Sequence, residues 1–278
     1  MAGWATYADL KSEVIDKGKY YEVTFNKVGS APELSSFPFV THSLWKVGAI
    51  PAAGADPATT PGTAYDDTAG SMFFPDQSSD RKFLLSFGAS SQPPASSLVL
   101  YDRLVGVSGI SVASTGNKTI NSAALPRYSG ANSEGVECWL EVTTATTATA
   151  PVVSLNSYTN QAGTTGRAGG TVTFPAAATN VDTIIGPMPL QAGDTGIRSI
   201  EVGLNVATAA SAGVINVLLL RRIAAIALPT ANEYYETQYV GEMLALPRIF
   251  DGACLCLMQY AVSNTATTFN GKIMVGYG

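Results

Sequence analysis

The residues after Arg81 form a series of short segments in which apolar and polar side chains alternate, as they do along β-strands. Val, Ile, Thr and aromatic residues are frequent in these segments, and clusters of Gly, Asn, Ser and Thr separate them. The predicted strands are KFLLSFGAS, SLVLYDRLVGVSGI, ECWLEVTT, PVVSLNSYT, GGTVTFP, IRSIEVGLNVAT, GVINVLLL, CLCLMQYAV and GKIMVGYG. This succession predicts a mainly β fold, a jelly-roll-like β-sandwich, rather than alternating β/α units.

The amino-terminal segment has the period of a helix. Apolar residues recur there at three- and four-residue spacings, at Trp4, Tyr7, Leu10, Val14 and Ile15. Gly18 then ends the predicted helix, and the following YYEVTF alternates like a strand.

Prolines recur through Val28–Pro75 among Gly, Ala and Thr, which excludes a continuous helix or a central strand there. The segment nevertheless contains Phe37, Phe39 and Trp45. We predict an extended arm that buries its aromatic residues against its own body or against a neighbouring molecule. The predicted organisation is a helix and an extended Pro-rich arm over residues 1–80 and a β-sandwich body over residues 81–278.

The segment ANEYYETQYVGEM, residues 231–243, fits two predictions. Asn232 is a suitable helix cap, with Tyr235, Tyr239 and Val240 on one side of the helix. A polar, tyrosine-rich segment between strands also suits a contact loop.

Composition and charge narrow the class of protein. Apolar residues make up 46% of the chain and charged residues 13%, which argues against disorder. A net charge of −5 and an isoelectric point near 4.9 argue against binding of nucleic acid through a basic face. Between Thr143 and Gly196 only three residues are charged. A surface so poor in charge is best tolerated where neighbouring molecules cover it, which indicates an assembly.

Candidate catalytic and metal-binding groups are few. His42, the single histidine, lies between apolar residues with no nucleophile motif beside it. Cys138, Cys254 and Cys256 make a poor zinc site and no disulfide framework, so we expect buried thiols. No apolar run is long enough to span a bilayer, and none has the form of a signal peptide.

Acidic residues cluster in the two loops YDDTAG and FPDQSSDRK, which contain Asp66, Asp67, Asp76 and Asp80. The loops lack the regular spacing of a calcium site, so we expect solvated loops or salt bridges between subunits. Glu137, Glu141 and Glu201 show no spacing that marks a pair for glycoside hydrolysis. We predict no catalytic residue, no metal site and no cofactor.

Five stretches between Ser97 and Met258 resemble a known group of proteins: LVLYDRLVGVSGI, TINSAALPRYSGANSEGVECWLEV, SYTNQAGTTGR, PLQAGDTGIRSI and LPRIFDGACLCLM. They are similar to structural proteins encoded in the head-gene region of tailed bacteriophages. The resemblance implies a non-enzymatic component of the virion, of the capsid decoration or cement type, assembled in the cytoplasm of the bacterial host.

Such a protein acts through contacts between subunits. The expected partners are the chain itself, in a homo-oligomer that is most simply a trimer, and a major capsid protein. Nucleic acid and membrane are not expected partners. The candidate interface residues are Trp4, Tyr7, Phe37, Phe39, Trp45, Tyr234, Tyr235 and Tyr239. For those in the helix and arm, packing against the chain's own body is the competing interpretation.

Two alternatives remain open at the level of the sequence. The chain also suits another minor head, connector or tail structural protein of the particle. It further suits a carbohydrate-binding β-sandwich module, which would present exposed aromatic residues beside Asp or Asn in a groove.

Overall fold

The structure is a computed structural model that describes residues 4, 6–29, 40–59, 61–77, 79–92, 96–176, 182–239, 246–261 and 265–278. Within these residues the chain consists mainly of antiparallel β-sheets packed face to face, with one short helical segment at the amino end. The prediction of a mainly β sandwich is confirmed, whereas the jelly-roll arrangement stays a prediction.

Six strands form a central sheet that closes on itself. In order around the sheet they are β5 (Ser96–Ser111), β12 (Val214–Leu228), β7 (Val136–Thr144), β10 (Thr183–Ile185), β2 (Val40–Ser43) and β15 (Leu255–Ala261). β15 pairs again with β5, and β3 (Thr63–Ala64) extends the same edge of β5. Closure leaves these strands few unpaired backbone groups, and we call this element the closed sheet.

Two smaller sheets pack against the outside of the closed sheet. The first, the β1–β16 sheet, contains β1 (Tyr20–Gly29), β16 (Thr267–Tyr277), β4 (Lys82–Gln92), β13 (Tyr235–Gln238) and β14 (Arg248–Ile249). The second, the β8–β11 sheet, contains β6 (Gly116–Lys118), β11 (Ile197–Thr208), β8 (Val152–Asn160) and β9 (Thr171–Thr173). A short 3₁₀-helix, Gly130–Ser133, precedes β7.

Side chains of β5 contribute to three apolar cores: one inside the closed sheet, one beneath the β1–β16 sheet and one beneath the β8–β11 sheet. Leu98 and Leu100 pack towards the β1–β16 sheet, whereas Val99 and Tyr101 point into the closed sheet. Opposite β12, Leu219 pairs with Val105 and Leu220 with Arg103, so Leu104 is an extra residue in a β-bulge. The bulge reverses the alternation, and the following valines pack towards the β8–β11 sheet.

The predicted amino-terminal helix is present as α1 (Tyr7–Leu10), which continues into wider π-helical turns over Lys11–Asp16. Thr6 and Asp9 form a capping box, in which each side chain accepts a hydrogen bond from the other residue's backbone N–H. Gly18 follows with φ +66°, a conformation that glycine adopts without strain.

The described part of the Pro-rich arm packs on the chain's own body. Its strand β2 lies within the closed sheet. Five of its large apolar residues, Leu44, Trp45, Tyr65, Met72 and Phe74, are buried, whereas Ile50 and Phe73 are exposed. Phe37 and Phe39 lie outside the described residues. β1 and β2 both hydrogen-bond to strands from residues 81–278, and the division at residue 80 stays a prediction.

The helix considered for residues 231–243 is wrong for its described part. Tyr235–Gln238 is the strand β13, paired antiparallel with β4, and Asn232 has φ +61° rather than the extended backbone of a helix cap. The exposed backbone edge of β4 favours the strand, because β13 satisfies it with hydrogen bonds. Residues 240–243 lie outside the described residues.

Two adjacent residues of β5 carry opposite buried charges that point to opposite sides. Inside the closed sheet, Arg103 lies 3.6 Å from Glu141, and its guanidinium stacks on the rings of Trp45 and Tyr65. Outside it, Asp102 accepts two hydrogen bonds from Arg127, at 2.7 and 3.0 Å. Each buried charge therefore has an opposite charge beside it.

We predict that Glu141→Leu destabilises the fold by about 3–5 kcal/mol, because it leaves the Arg103 guanidinium buried without a counter-charge. The double variant Arg103→Met/Glu141→Leu removes both charges and is expected to recover most of that loss. Urea unfolding of the wild type, the single variant and the double variant measures both effects. A double variant less stable than Glu141→Leu would contradict the role given to the ion pair.

Candidate interaction surface

A groove of about 240 Å³ lies between the amino-terminal helical segment and the outer face of the β1–β16 sheet, and we call it the helix groove. Leu10 and Val14 anchor the helical segment by packing against Leu85 in β4. The groove is lined by Tyr7, Leu10, Lys11, Val14 and Ile15 from the helical segment and by Leu85, Ser86, Glu236, Gln238 and Met274 from the sheet.

Part of the apolar surface of the helical segment is not buried against the sheet. Tyr7 is 60% exposed and Ile15 is 66% exposed, although both line the helix groove. Exposed apolar residues that cluster beside a groove are characteristic of surfaces that bind another molecule. The helix groove is therefore the strongest candidate for an interaction surface on this face of the molecule.

The two walls of the helix groove carry charges of opposite sign. Lys11 lies on the helical wall and Glu236 on the wall formed by β13. A second copy of the chain carries the same two charges, so a contact between copies can place a lysine of one against a glutamate of the other. These charges can orient a contact between two copies, while the apolar surface of the groove provides the area to be buried.

Of the aromatic residues predicted at an interface, Tyr7 and Tyr234 are exposed. Tyr7 lines the helix groove, and Tyr234, 48% exposed, lies against Gly88 of β4, where its ring leaves no space for a Cβ atom. Tyr235 and Tyr239 are half-buried against the core between the closed sheet and the β1–β16 sheet. These four residues lie on the helical segment and on or beside β13, whose residue Glu236 lines the groove.

The two predicted tryptophans pack within the chain. Trp45 is 1% exposed, points into the closed sheet and donates its indole N–H to the carbonyl oxygen of Ala55 at 2.9 Å. Trp4 is half-buried against Phe83, with the ring centres 5.3 Å apart. Both side chains pack against the chain's own body, as the competing interpretation expected. An interface role for the eight residues as a set stays a prediction.

The sequence analysis counted Ile15 among the apolar residues at helical spacing and did not select it as an interface residue. The wider turns over Lys11–Asp16 keep Val14 against the sheet and leave Ile15 outside. Two adjacent apolar residues in a short helix were the available signal, because their side chains point about 100° apart and a narrow contact buries one more fully than the other.

His42 is fully buried and lines neither the helix groove nor the arginine-lined cavity described below. Its Nδ1 atom lies 3.2 Å from a carboxylate oxygen of Asp182. The three cysteines are buried free thiols, and burial raises the pKa of Cys138 and of Cys254 to about 12, so these thiols stay protonated at neutral pH.

Four of the acidic residues considered for catalysis or cation binding have separate partners, whereas a buried carboxylate oxygen of Asp67 has no hydrogen-bond partner among the described residues. Asp76 pairs with Lys82 at 3.1 Å and Asp80 with Lys19 at 2.9 Å, so these loop acids form salt bridges within the chain. Glu137 accepts a hydrogen bond from Trp139, and Glu201 accepts one from Ser157. The described residues contain no group of three or more His, Cys, Asp or Glu side chains able to hold a metal ion.

The charge-poor region between Thr143 and Gly196 is held together by an ion pair between two of its three charged residues. Arg167 donates two hydrogen bonds to Asp194, at 2.9 and 3.0 Å. Tyr158 and Asn160 donate to the same carboxylate at 2.6 and 2.7 Å. Hydrogen bonding from Arg167, supported by Tyr158 and Asn160, lowers the pKa of Asp194 to about 2. The loop after β8 is therefore fixed by a salt bridge and not by apolar packing alone.

We predict that Asp194→Asn destabilises the fold by about 1–3 kcal/mol at pH 7. The folded-state pKa lies below the ordinary value of 3.8, so the ionised carboxylate stabilises the fold above about pH 4, and this stabilisation is lost as the pH falls towards 2. Urea midpoints at pH 6, 4 and 3 should show the difference between wild type and variant shrinking. Asp16→Asn, at an exposed aspartate, is the control and should change little. A difference of constant size across this range would contradict the assignment.

Comparison with known proteins gives little similarity. No protein-family model matches the chain, and no curated protein matches it by sequence. Among solved structures, a point mutant of the VP2 protein of infectious bursal disease virus, in derived T=1 particles, is 8% identical with a TM-score of 0.19 over 99% of this chain and 84% of that chain. The VP2 subviral particle of the same virus is 9% identical with a TM-score of 0.19, over 96% and 85% of the two chains. These weak similarities are to viral capsid proteins, and at such TM-scores they carry no argument about fold or function.

No helix among the described residues is long and apolar enough to cross a membrane.

Proposed function

We propose that this chain is a structural component of a bacteriophage particle, most simply a capsid decoration or cement protein. It stabilises the head through contacts with copies of itself, most simply as a trimer, and with a major capsid protein. It acts in the virion, after assembly in the cytoplasm of the bacterial host, and carries out no catalysis.

The observation that carries this proposal is the helix groove. Tyr7 and Ile15 expose apolar surface beside a cavity whose walls have opposite charges, which favours a contact with a second copy of the chain. The five stretches that resemble head proteins of tailed bacteriophages provide the second support. A chain with only 13% charged residues also gains from covering its surface in an assembly.

The same observations also support a role as another minor head, connector or tail protein of the particle, because proteins at each of these positions can self-associate. A carbohydrate-binding module gains no support from the helix groove. Among the described residues, Tyr7 is the one aromatic residue that lines this groove, and neither Asp nor Asn lines it. Sugar recognition typically combines an aromatic face with such polar side chains.

We predict that Ile15→Asp converts an oligomer of the wild-type chain into a 28.9 kDa monomer, because a buried aspartate would remain unpaired at the contact. Light scattering across protein concentrations, from low salt to about 1 M salt, measures the mass. The wild-type mass should persist in high salt, because apolar burial and not surface charge holds the contact.

Val202→Asp is the matched control, since Val202 is 47% exposed on β11 of the opposite sheet. This variant should keep the wild-type mass. A wild-type chain that is monomeric at every concentration, or two variants that dissociate equally, would contradict self-association through the helix groove. Detection of the chain in purified particles by mass spectrometry tests its location independently.

A further inference from the structure

A second cavity, of about 410 Å³, is lined by arginines and lies where β12 passes the segment leading to β14. We call it the arginine cavity. Its lining residues are Tyr128, Glu134, Arg221, Arg222, Ile223, Pro247, Arg248 and Phe250. Its volume falls in the range of sites that hold small molecules, roughly 300–1,000 Å³.

The cavity is lined mainly by positive charge, whereas the whole chain carries a net negative charge. Acidic residues outnumber Lys and Arg, 21 to 16, yet three arginines and one glutamate line the cavity. Placing like charges around one concave surface costs free energy through their mutual repulsion. A bound anion removes that cost, so the arrangement is typical of an anion site.

Two of the guanidinium groups are held by aromatic rings. Arg221 lies 4.5 Å over the ring of Tyr128, and Arg248 lies 4.0 Å over the ring of Phe250. A guanidinium stacked by its face keeps its N–H groups in the plane, where they can donate in pairs to a planar oxyanion. Stacking thus orients these cations before any ligand binds.

The aromatic floor of the cavity is itself rigid. The rings of Tyr128 and Phe250 meet edge to face with their centres 4.6 Å apart. Tyr128 is buried in the core beneath the β8–β11 sheet and has φ +54°, a backbone conformation that a tyrosine rarely adopts. The surrounding structure fixes this residue, and local backbone strain of this kind is found often at binding sites.

The partners of the three arginines differ. Arg221 donates a hydrogen bond from Nη1 to the backbone carbonyl oxygen of Glu134, and so has a structural role. In the part of the chain that the structure describes, no carboxylate lies within salt-bridge distance of Arg222 or Arg248. Both cations border the cavity, and Arg222 also acts electrostatically on the half-buried carboxylate of Glu137, which lies beyond salt-bridge distance.

We propose that the arginine cavity binds an oxyanion, a phosphate or carboxylate group, through Arg222 and Arg248, with Arg221 and the two rings as its scaffold. Phosphate esters and acidic protein segments share this chemistry. The site is separate from the helix groove, and its occupation does not depend on the proposed virion role.

Isothermal titration of the full chain with inorganic phosphate and with glutarate tests the proposal, and sodium chloride at matched ionic strength serves as the reference. Both Arg248→Gln and Arg222→Gln should weaken binding by about tenfold or more, since each removes a charge-assisted hydrogen-bond donor. Arg248→Lys keeps the charge but loses the planar pair of donors, and should also bind more weakly than wild type. Circular dichroism and melting temperatures confirm that the variants fold.

Arg81→Gln is the control, because it removes the same charge away from the cavity. Its affinity should equal that of the wild type. Tighter binding of phosphate than of glutarate assigns the site to a phosphate ester, and the reverse order assigns it to an acidic protein segment. If neither anion binds more tightly than chloride, or if Arg81→Gln loses as much affinity as Arg248→Gln, the proposal is wrong.

Discussion

The strand β5 and its two adjacent charges, Asp102 and Arg103, set the constraint on which the rest of the structure depends. Arg103 requires Glu141 and two aromatic faces inside the closed sheet, and Asp102 requires Arg127 outside it. A shift of β5 by one residue would exchange the two sides and leave both charges buried without partners. The strand pairs with β12, β15 and β3, so its register determines that of the whole closed sheet.

The sequence predicted most strands because their signal is local. KFLLSFGAS and SLVLYDRLVGVSGI correspond closely to β4 and β5, since β-branched and apolar residues at alternate positions need only a sheet to pack on. β2 was missed because its signal was weaker than that of the surrounding prolines. The helix considered at Tyr235–Gln238 fails because the open edge of β4, a tertiary feature, determines the conformation of that segment. Closure of the central sheet is equally non-local, since it depends on pairings between strands far apart along the chain.

The candidate sites were less predictable than the fold. Tyr7 and Trp45 were both predicted as interface residues from their aromatic character, yet Tyr7 is exposed and Trp45 lies inside the closed sheet. Residue type does not distinguish an anchor for a partner from an anchor for the core, because both bury apolar area. The arginine cavity joins residues from three separate parts of the sequence, which no local pattern brings together. The strand predicted over GVINVLLL continues to Leu228 in the structure, and Arg221 and Arg222 in this extension both line the cavity.

The pairing of β1 with β16 has a consequence for how the chain folds. Glu22 and Lys272 form a salt bridge across this pair although they are 250 positions apart in the sequence. Contacts of such long range slow folding, because the entropy cost of closing the loop between the two strands comes before their pairing contributes any stabilisation. β1 also lies at the edge of its sheet, paired along its length with β16 and hydrogen-bonded on its other side only between Asn26 and Ile50 among the described residues. Until it docks, β16 presents an open edge that the β1 strand of another molecule fits equally well, so the folding pathway offers a route to strand exchange between copies.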